Sequence, residues 1–289
     1  MASAMPPRNF WPQHHCICAN VKGHNMNLGL QNKTAVVTGS TAGIGFAIAA
    51  TLAREGARVV LNGRTEARVT AALDKIHKTD KSVDIRGIAA DLGTAAGVEA
   101  FLRQVPDADI LINNLGIFEI KPFLEIPDAD WLRFFEVNVL SGVRLSRRYL
   151  PGMLKKKWGR IIFISSESGA QTPPEMVHYG MTKTAQIAVA RGIAESFPAS
   201  GVTVNSVLVG PTASEGVDIF VDTIAKQKGV TAGDVEKDFF QSVRPTSLLK
   251  RFETPEEIAA IVAFVASDQA AAINGAAVPA DGGVIRSIL

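Results

Sequence analysis

Three polar side chains that could carry out proton transfer lie close together in the stretch from Arg160 to Lys183. Tyr179 and Lys183 are four residues apart, so on a helix they would share one face, and the ammonium could lower the pKa of the phenol. A phenol with a lowered pKa is a candidate general acid and base near neutral pH. Ser166, upstream of this pair, could hydrogen-bond a substrate carbonyl or alkoxide. Together these groups predict proton transfer at the carbon of an alcohol or ketone.

Each of these residues also has an ordinary structural explanation, so the elements that carry them matter. A tyrosine four residues before a lysine is a common helix neighbour, and two serines after a strand often form a turn. The apolar run 161–164 predicts a buried parallel strand that ends at Ser166. A loop with two prolines leads from it into a helix that carries Tyr179 and Lys183. Strand, loop and helix would therefore bring the three groups to one place.

The first predicted strand of the chain runs into a glycine-rich turn. Residues 33–38 form a short β-branched run, and a helical pattern follows the turn. In such an arrangement the glycines let the backbone approach a pyrophosphate, and the helix N-terminus supplies free N–H groups and a favourable dipole. The spacing GxxxGxG could also describe a tight turn alone, but its place between strand and helix favours a dinucleotide site. The predicted binding residues of this turn are Gly39, Ser40, Thr41, Gly43, Ile44 and Gly45.

The end of the second predicted strand, 58–62, bears on which dinucleotide is bound. In a dinucleotide-binding fold this position faces the adenine ribose, where an acidic residue accepts the 2′-hydroxyl of NAD and an arginine receives the 2′-phosphate of NADP. The strand end carries no acidic residue, but it is followed closely by an arginine, Arg64. A guanidinium matches a phosphate in shape and charge. The sequence therefore favours NADP(H) over NAD(H), against the alternative that Arg64 is a solvent-facing turn residue.

Residues that follow later strands are predicted to line the same cleft. Asp91 and Leu92 end the third strand, and their position suggests contact with the adenine ring. Asn114 lies just past the fourth strand, where an amide can tie neighbouring strands together, line the cofactor cleft, or do both. The predicted cofactor-binding set beyond the glycine turn and Arg64 is Asp91, Leu92, Asn114, Gly116, Gly210 and Thr212, with Tyr179 and Lys183 at the reacting end.

Length and composition fit one α/β domain. The chain has 289 residues, of which 47% are hydrophobic, so it can bury a full core. The formal net charge is +2 and the chain has no long basic block, so the charge pattern does not indicate nucleic-acid binding. The sequence also lacks the run of eighteen apolar residues that a membrane-spanning helix would need. Strands and helices alternate without a linker. This pattern predicts a single Rossmann-type, doubly wound domain with a parallel sheet of about seven strands and helices on both faces.

Two segments stand apart from this alternation. Residues 1–26 lack periodicity and a signal-like apolar core, so we expect a disordered extension before a domain at 27–289. Their cysteines, Cys16 and Cys18, match no disulfide framework and no firm zinc spacing, so we predict no metal site and expect reduced thiols and a cytoplasmic location. Residues 213–249, the lid segment, are helical but interrupted. Their length between a strand and a helix predicts a lid over the substrate.

The motifs together resemble the short-chain dehydrogenase/reductase family, and most of all its branch that contains 3-oxoacyl-carrier-protein reductases. The resemblance implies that Tyr179 is the general acid and base, and that Lys183 lowers its pKa and holds the nicotinamide ribose. It also implies that Ser166 polarises the carbonyl and that Asn138 supports a water-linked proton relay. The elements shared with the family, in order and approximate spacing, are the TGxxxGIG turn at 38–45, the Asn-Asn-x-Gly element at 113–116, Asn138, Ser166, Tyr179 and Lys183.

The resemblance implies reversible hydride transfer between NADP(H) and a small ketone or secondary alcohol, and a 3-oxoacyl-like compound is one candidate substrate. It also implies the family's usual homotetramer, or a homodimer, through the predicted helix 128–157, although the apolar face of that helix could equally pack within the monomer. Two other functions stay open: a non-catalytic dinucleotide-binding or redox-sensing protein, and an NAD-dependent sugar or steroid alcohol dehydrogenase. The sequence departs from the family's pattern at Leu115, where alanine is usual, and at Val209, where proline is usual.

Overall fold

A single parallel sheet organises the part of the chain that the structure describes. The computed structural model describes residues 27–288, with the backbone alone for 218–220. The predicted extension 1–26, with its two cysteines, lies outside the described residues. The strands of the sheet are β1 (Thr34–Val37), β2 (Arg58–Gly63), β3 (Ile85–Ala89), β4 (Ile110–Asn113), β5 (Gly159–Ser166), β6 (Val202–Val209) and β7 (Ala277–Ala280).

The strand order is β3-β2-β1-β4-β5-β6-β7, and each neighbouring pair is parallel. The order changes direction between β1 and β4, and in open α/β sheets a ligand crevice forms beyond the carboxyl ends of the strands at such a switch point. The strands are near-continuous apolar runs because helices cover both of their faces. The prediction of a doubly wound α/β domain with seven parallel strands is confirmed.

Helices connect successive strands and carry several of the predicted site residues. The predicted long helix 128–157 is present, but a π-helical turn at Glu136–Leu140 divides it, and another such turn at Phe239–Val243 follows α8. The helices are α1 (Gly43–Arg54), α2 (Glu66–Thr79), α3 (Ala95–Gln104), α4 (Asp128–Phe135), α5 (Ser141–Lys156), α6 (Val177–Ser196), α7 (Glu215–Lys228), α8 (Ala232–Asp238) and α9 (Pro255–Val265).

Two apolar clusters cover the two faces of the sheet. Ile110 and Ile112 of β4 belong to one cluster, and Leu111 between them belongs to the other, because successive side chains of a strand point to opposite faces. Helices α1 and α9 pack on the first face, and α3, α5 and α6 pack on the second. With both faces filled, polar side chains at the carboxyl ends of the strands are left to form the site.

The lid segment contains α7, α8 and the second π-helical turn. Phe239 and Phe240 of that turn pack with Phe252 at ring-centroid distances of 5.2 and 5.1 Å, which anchors the end of the segment to the loop before α9. Over residues 27–288, none of the helices is both long and apolar enough to span a membrane. In the same residues, His, Cys, Asp and Glu side chains form no group of three or more that could hold a metal ion.

Candidate active site

A cavity of about 810 Å³ opens at the carboxyl ends of the central strands. Its floor is formed by residues that follow β4, β5 and β6, and the lid segment contributes side chains such as Val217, Phe239 and Arg244 to its walls. Most of its lining is apolar. The cavity brings together eight of the residues that the sequence predicts: Ile44, Asn114, Gly116, Ser166, Tyr179, Lys183, Gly210 and Thr212.

The serine, the tyrosine and the lysine that could carry out proton transfer all face this cavity. Ser166 is the last residue of β5, and Tyr179 and Lys183 lie one turn apart near the start of α6. The Lys183 Nζ lies 5.5 Å from the centroid of the Tyr179 ring. Phe118 packs edge-to-face with that ring, with centroids 6.4 Å apart. Strand, loop and helix thus place the three groups together, as the spacing in the sequence predicts.

Burial controls the protonation of the tyrosine and the lysine. It raises the pKa of the Tyr179 phenol above its ordinary value, and the negative charge of Glu167 adds to that rise, whereas the Ser166 side chain and Arg244 oppose it. Burial lowers the pKa of the Lys183 ammonium to about 8, and the charge of Glu167 opposes that shift. Burial is the largest cause of the rise in the phenol pKa, and the lowering of that pKa by Lys183 stays a prediction.

Asn138 lies in the π-helical turn between α4 and α5, and its side-chain amide has protein partners. Its Oδ1 accepts a hydrogen bond from Ile117 N at 2.8 Å, and its Nδ2 donates to Ile117 O and to Thr182 Oγ1, each at 3.0 Å. Thr182 in turn donates to the backbone carbonyl of Tyr179 at 2.7 Å. Asn138 therefore ties the loop after β4 to the turn of α6 that carries the tyrosine.

Gln186 is a buried amide that the sequence analysis missed. Its Nε2 donates to the backbone carbonyl of Asn138 at 2.6 Å, and its Oε1 accepts from the Lys183 Nζ at 3.3 Å. The ammonium also donates to Ile164 O on β5 at 2.9 Å. Gln186 therefore links Lys183 directly to Asn138. The sequence did contain a sign of this contact, because Gln186 is three residues after Lys183 and residues three apart are neighbours on a helix.

The glycine-rich turn has the backbone geometry that an anion site requires. Gly39 and Gly43 have φ angles of +58° and +55°, which favour glycine. At Gly45 a Cβ atom would lie 2.4 Å from Asn114 Nδ2 and 2.6 Å from Gly39 O, so the turn closes tightly on the helix. Helix α1 begins after Ala42 without a side-chain cap, whereas threonines cap α2, α3 and α9. The free N–H groups at this helix end suit the diphosphate of a dinucleotide.

Two amides, the buried Asn62 and the half-buried Asn114, hold the shape of the glycine turn. Asn114 Nδ2 donates to Thr38 O at 2.9 Å and to Gly39 O at 3.0 Å, so it connects β1 and β4. Asn62, which the sequence analysis missed, accepts from Gly39 N at 3.2 Å. The sequence could have pointed to Asn62, because an amide inside an apolar strand is buried and needs hydrogen-bond partners. The hydroxyl of Ser40 donates to a β1 carbonyl at 2.7 Å, and the backbone N–H of Ser40 donates to Asn62 O. Ser40 therefore stabilises the turn by bonding to the strands beneath it.

The residues predicted at the adenine end lie beyond the cavity. Arg64 follows β2 directly, its side chain is exposed, and its guanidinium forms no hydrogen bond or ion pair with the described part of the chain. Thr41 lies against the end of β2, because a Cβ on Gly63 would lie 2.4 Å from its methyl group. The Asp91 carboxylate accepts from a backbone N–H two residues on at 3.1 Å. The Leu92 side chain is in the core, so its backbone alone could meet an adenine.

The last three predicted cofactor residues differ in what they can offer. A Cβ on Gly116 would lie 3.6 Å from the Lys183 Nζ, so the chain passes close beside the ammonium. A Cβ on Gly210 would lie 2.7 Å from the backbone just after β7, an approach that requires glycine. Thr212 is buried, and its hydroxyl donates to Gly210 O at 3.0 Å, so it stabilises the loop after β6.

Two charged residues that the sequence analysis missed also line the cavity. Glu167 directly follows Ser166, and its buried carboxylate accepts a hydrogen bond from the Ser166 hydroxyl. Arg244 of the lid segment donates from Nε to Glu167 at 3.0 Å. No local pattern in the sequence connects residues this far apart, so the pair could not be found before the fold was known.

The fold and the cavity together fit an enzyme that oxidises CH–OH groups or reduces carbonyl groups with a nicotinamide dinucleotide. A family model described as short chain dehydrogenase matches residues 33–223. The chain belongs to this short-chain dehydrogenase family, and the prediction of an oxidoreductase is confirmed.

Relatives with curated names and solved structures agree with this assignment. The chain is 48% identical to the uncharacterised oxidoreductase YvaG of Bacillus subtilis, over 91% of this chain and 100% of that protein. It is 33% identical to a 3-oxoacyl-[acyl-carrier-protein] reductase of Pseudomonas aeruginosa, over 90% of this chain and 100% of that protein. The crystal structure of L-sorbose reductase from Gluconobacter frateurii, complexed with NADPH and L-sorbose, superposes with a TM-score of 0.84. That protein is 32% identical, over 91% of this chain and 100% of its own.

Proposed function

We propose that the protein catalyses reversible hydride transfer between NADP(H) and a ketone or secondary alcohol, with Tyr179 as the general acid and base. The observation that carries this proposal is the convergence of Ser166, Tyr179 and Lys183 in one cavity beside the glycine turn. The cofactor supplies the hydride when it is bound, and the protein supplies the proton and the geometry.

Each polar group in the cavity has a distinct role in the proposed reaction. During reduction, the Tyr179 hydroxyl donates its proton to the substrate oxygen, and during oxidation the phenolate takes that proton back. The raised pKa of Tyr179 leaves the phenol in the protonated form that donates during reduction. Ser166 holds the substrate oxygen. The Lys183 ammonium offsets the negative charge of the phenolate after the proton has left.

The residues of the glycine turn fit a dinucleotide, and Arg64 favours the phosphorylated form. The uncapped N-terminus of α1 would hold the diphosphate, and Lys183 and Gly116 would meet the nicotinamide ribose. The exposed guanidinium of Arg64 is available to a 2′-phosphate, which supports NADP(H) over NAD(H). The presence of NADPH in the solved L-sorbose reductase structure also supports this choice.

The role of the phenol is tested by following NADPH absorbance with a panel of ketones. Tyr179→Phe removes the proton donor and should lower kcat by about 10²–10⁴-fold, the usual contribution of a positioned acid. The matched control is Tyr149→Phe, because Tyr149 is the other tyrosine of the chain and donates to Val105 O in the core, outside the cavity. Equal rates in Tyr179→Phe and the wild type would remove the phenol from the mechanism.

The same panel addresses the substrate. The 3-oxoacyl-like candidate is supported by the apolar walls of the cavity, which include Phe118 and Phe239, and by similarity to the 3-oxoacyl-carrier-protein reductase. A sugar substrate is the second candidate, since the related L-sorbose reductase was solved with L-sorbose. A higher kcat/KM for 3-oxoacyl thioesters than for ketoses would favour the first, and the reverse order would favour the second.

We propose a homotetramer as the assembly, with a homodimer as the alternative. Helix α4 supports it because its Leu132 side chain is 71% exposed in the isolated chain, and apolar faces of this kind are often covered by a partner. Light scattering coupled to size exclusion would measure the mass, and a monomer across concentrations would contradict the proposal. The cytoplasmic location and the lid over the substrate stay predictions.

A further inference from the structure

The carboxylate of Glu167 connects the proposed oxygen-binding serine to the lid segment. One of its oxygens, Oε2, accepts hydrogen bonds from the Ser166 hydroxyl, from Ser168 N at 2.7 Å and from Ser168 Oγ at 3.0 Å. The other oxygen, Oε1, accepts from Arg244 Nε. The residue is buried, so these donors replace the water that an ionised carboxylate would otherwise need. Glu167 is therefore held directly behind Ser166 by donors to both of its carboxylate oxygens.

Arg244 reaches this carboxylate from the far end of the lid segment. It follows the π-helical turn Phe239–Val243, and its Nη1 donates to Glu175 Oε1 at 3.2 Å on the loop before α6. The side chains of Arg244 and Glu167 are 12% and 7% exposed, so their ion pair is largely removed from solvent. A charge pair removed from water leaves an uncompensated charge when either partner is lost. The position of the lid segment and the environment of Ser166 are therefore joined by one contact.

We propose that Glu167 and Arg244 are positioning residues for the reaction: Glu167 holds the Ser166 hydroxyl until that hydroxyl turns its one hydrogen toward the substrate oxygen, and Arg244 completes the charge balance of the site when the lid segment is in place. The inference rests on the proposed function, since it assigns roles toward Ser166 and Tyr179. A lid segment that moved away would take Arg244 with it and leave the carboxylate of Glu167 unbalanced in the cavity. Correct docking of this segment thereby becomes part of the catalytic arrangement.

The charges around the phenol make this proposal measurable. The charged groups that line the cavity with it are Glu167 on the loop after β5, Arg244 on the lid segment, Glu175 beside Arg244, and Lys183 on α6. Glu167 raises and Arg244 lowers the pKa of Tyr179. In the oxidation direction the phenolate is the reactive form, so the rate rises with pH as the phenol ionises. Removing the charge of Glu167 or of Arg244 should shift the pH at which the oxidation rate rises, in a direction set by the sign of the charge removed.

The experiment measures oxidation of ethyl 3-hydroxybutyrate with NADP⁺, and reduction of ethyl acetoacetate with NADPH, as functions of pH. Glu167→Gln should move the rise in the oxidation rate to lower pH, and Arg244→Met should move it to higher pH, each by about one pH unit. Arg244→Lys, which keeps the charge, should restore most of the wild-type profile. The control is Arg251→Gln, since Arg251 forms an exposed ion pair with Glu257 just past the lid segment and away from the cavity.

The direction of the displacement separates positioning from a merely structural role. A structural role would lower the rates of both variants at all pH values and leave the profile in place, and that result would overturn the proposal. Displacement of both profiles in one direction would also overturn it. Thermal unfolding checks that the variants fold. If Arg244→Met does not fold, Glu167→Gln, which keeps the shape of the side chain, decides the matter by itself.

A second measurement does not depend on turnover. Hydrogen exchange of the Ser168 amide, which donates to Glu167, and of α7 and α8 should quicken in Arg244→Met and stay unchanged in Arg251→Gln. If the wild type oxidises no NADPH with any ketone, the proposed function fails, and the exchange rates alone then decide whether Glu167 and Arg244 act as a unit. Unchanged exchange in Arg244→Met would overturn the link between the lid segment and Glu167.

Discussion

Replacing Gly45 with alanine tests whether the glycine turn is held as tightly as the structure indicates. Gly45 lies in the first turn of α1 with an ordinary helical φ, so alanine is allowed by the backbone. Helix propensity alone would make alanine more stable by up to about 1 kcal/mol. The added Cβ, however, would lie 2.4 Å from Asn114 Nδ2, 2.6 Å from Gly39 O and 3.0 Å from Ser40 Cα. Two of these three atoms are backbone, so the turn itself must move.

The expected loss combines two effects. Forcing a methyl group into a filled space costs about 1–3 kcal/mol. Displacing the Asn114 amide breaks its hydrogen bonds to Thr38 O and Gly39 O, each of which contributes about 0.5–1.5 kcal/mol. After subtraction of the propensity gain, Gly45→Ala should lower the free energy of unfolding by about 1–5 kcal/mol. Because the same atoms shape the diphosphate site, NADPH affinity should fall by about tenfold or more, which corresponds to ~1.4 kcal/mol.

Urea unfolding and a fluorescence titration with NADPH measure the two quantities, at one protein concentration because assembly can affect stability. The matched control is Gly192→Ala in α6, where an added Cβ would meet no atom of residues 27–288 within 4 Å beyond the adjacent backbone of its own helix. This variant should be more stable by about 0.5–1 kcal/mol with unchanged NADPH affinity. The reasoning is refuted if Gly45→Ala behaves like Gly192→Ala in both measurements.

Three further predictions concern groups around the site. Burial lowers the pKa of His178 below its ordinary value, so the folded protein binds this proton less readily than the unfolded chain does. Its contribution to stability should be complete above about pH 6.5 and decline as the pH falls below it, and His178→Phe should reduce that decline in urea unfolding. Gln186→Leu should lower kcat/KM by about tenfold, because Lys183 loses a hydrogen-bond partner. Arg64→Asp should lower kcat/KM with NADPH and raise it with NADH, because a carboxylate repels a 2′-phosphate and accepts a 2′-hydroxyl.

Each of these predictions has an outcome that would contradict it. For His178, an equal loss of stability between pH 7 and pH 5 in the wild type and the variant would place the acid sensitivity elsewhere. For Gln186, unchanged kinetics in the leucine variant would show that Lys183 is held well enough by Ile164 O alone. For Arg64, an unchanged ratio of NADPH to NADH efficiency would mean that this arginine is a solvent-facing turn residue.

Most of the fold could be predicted from the sequence because its signals are local. Apolar runs such as 161–164 mark buried strands, and the alternation of strands with helices requires parallel pairing. The spacing of Tyr179 and Lys183 is a local property of one helix, so their shared face followed from the sequence. The break of helix 128–157 at a π-helical turn was not predicted, and Asn138 in that turn contacts α6, an element far away in the sequence.

The sequence by itself determined the class of the protein, the glycine turn and the three groups for proton transfer, since each depends on neighbours in the chain. Tertiary structure alone decided which distant side chains meet: Glu167 with Arg244, and Gln186 with Asn138. It also decided the direction in which the pKa of Tyr179 shifts. That shift follows from how much water is removed from the phenol and which charges surround it, and both depend on the packing of segments far apart in the sequence.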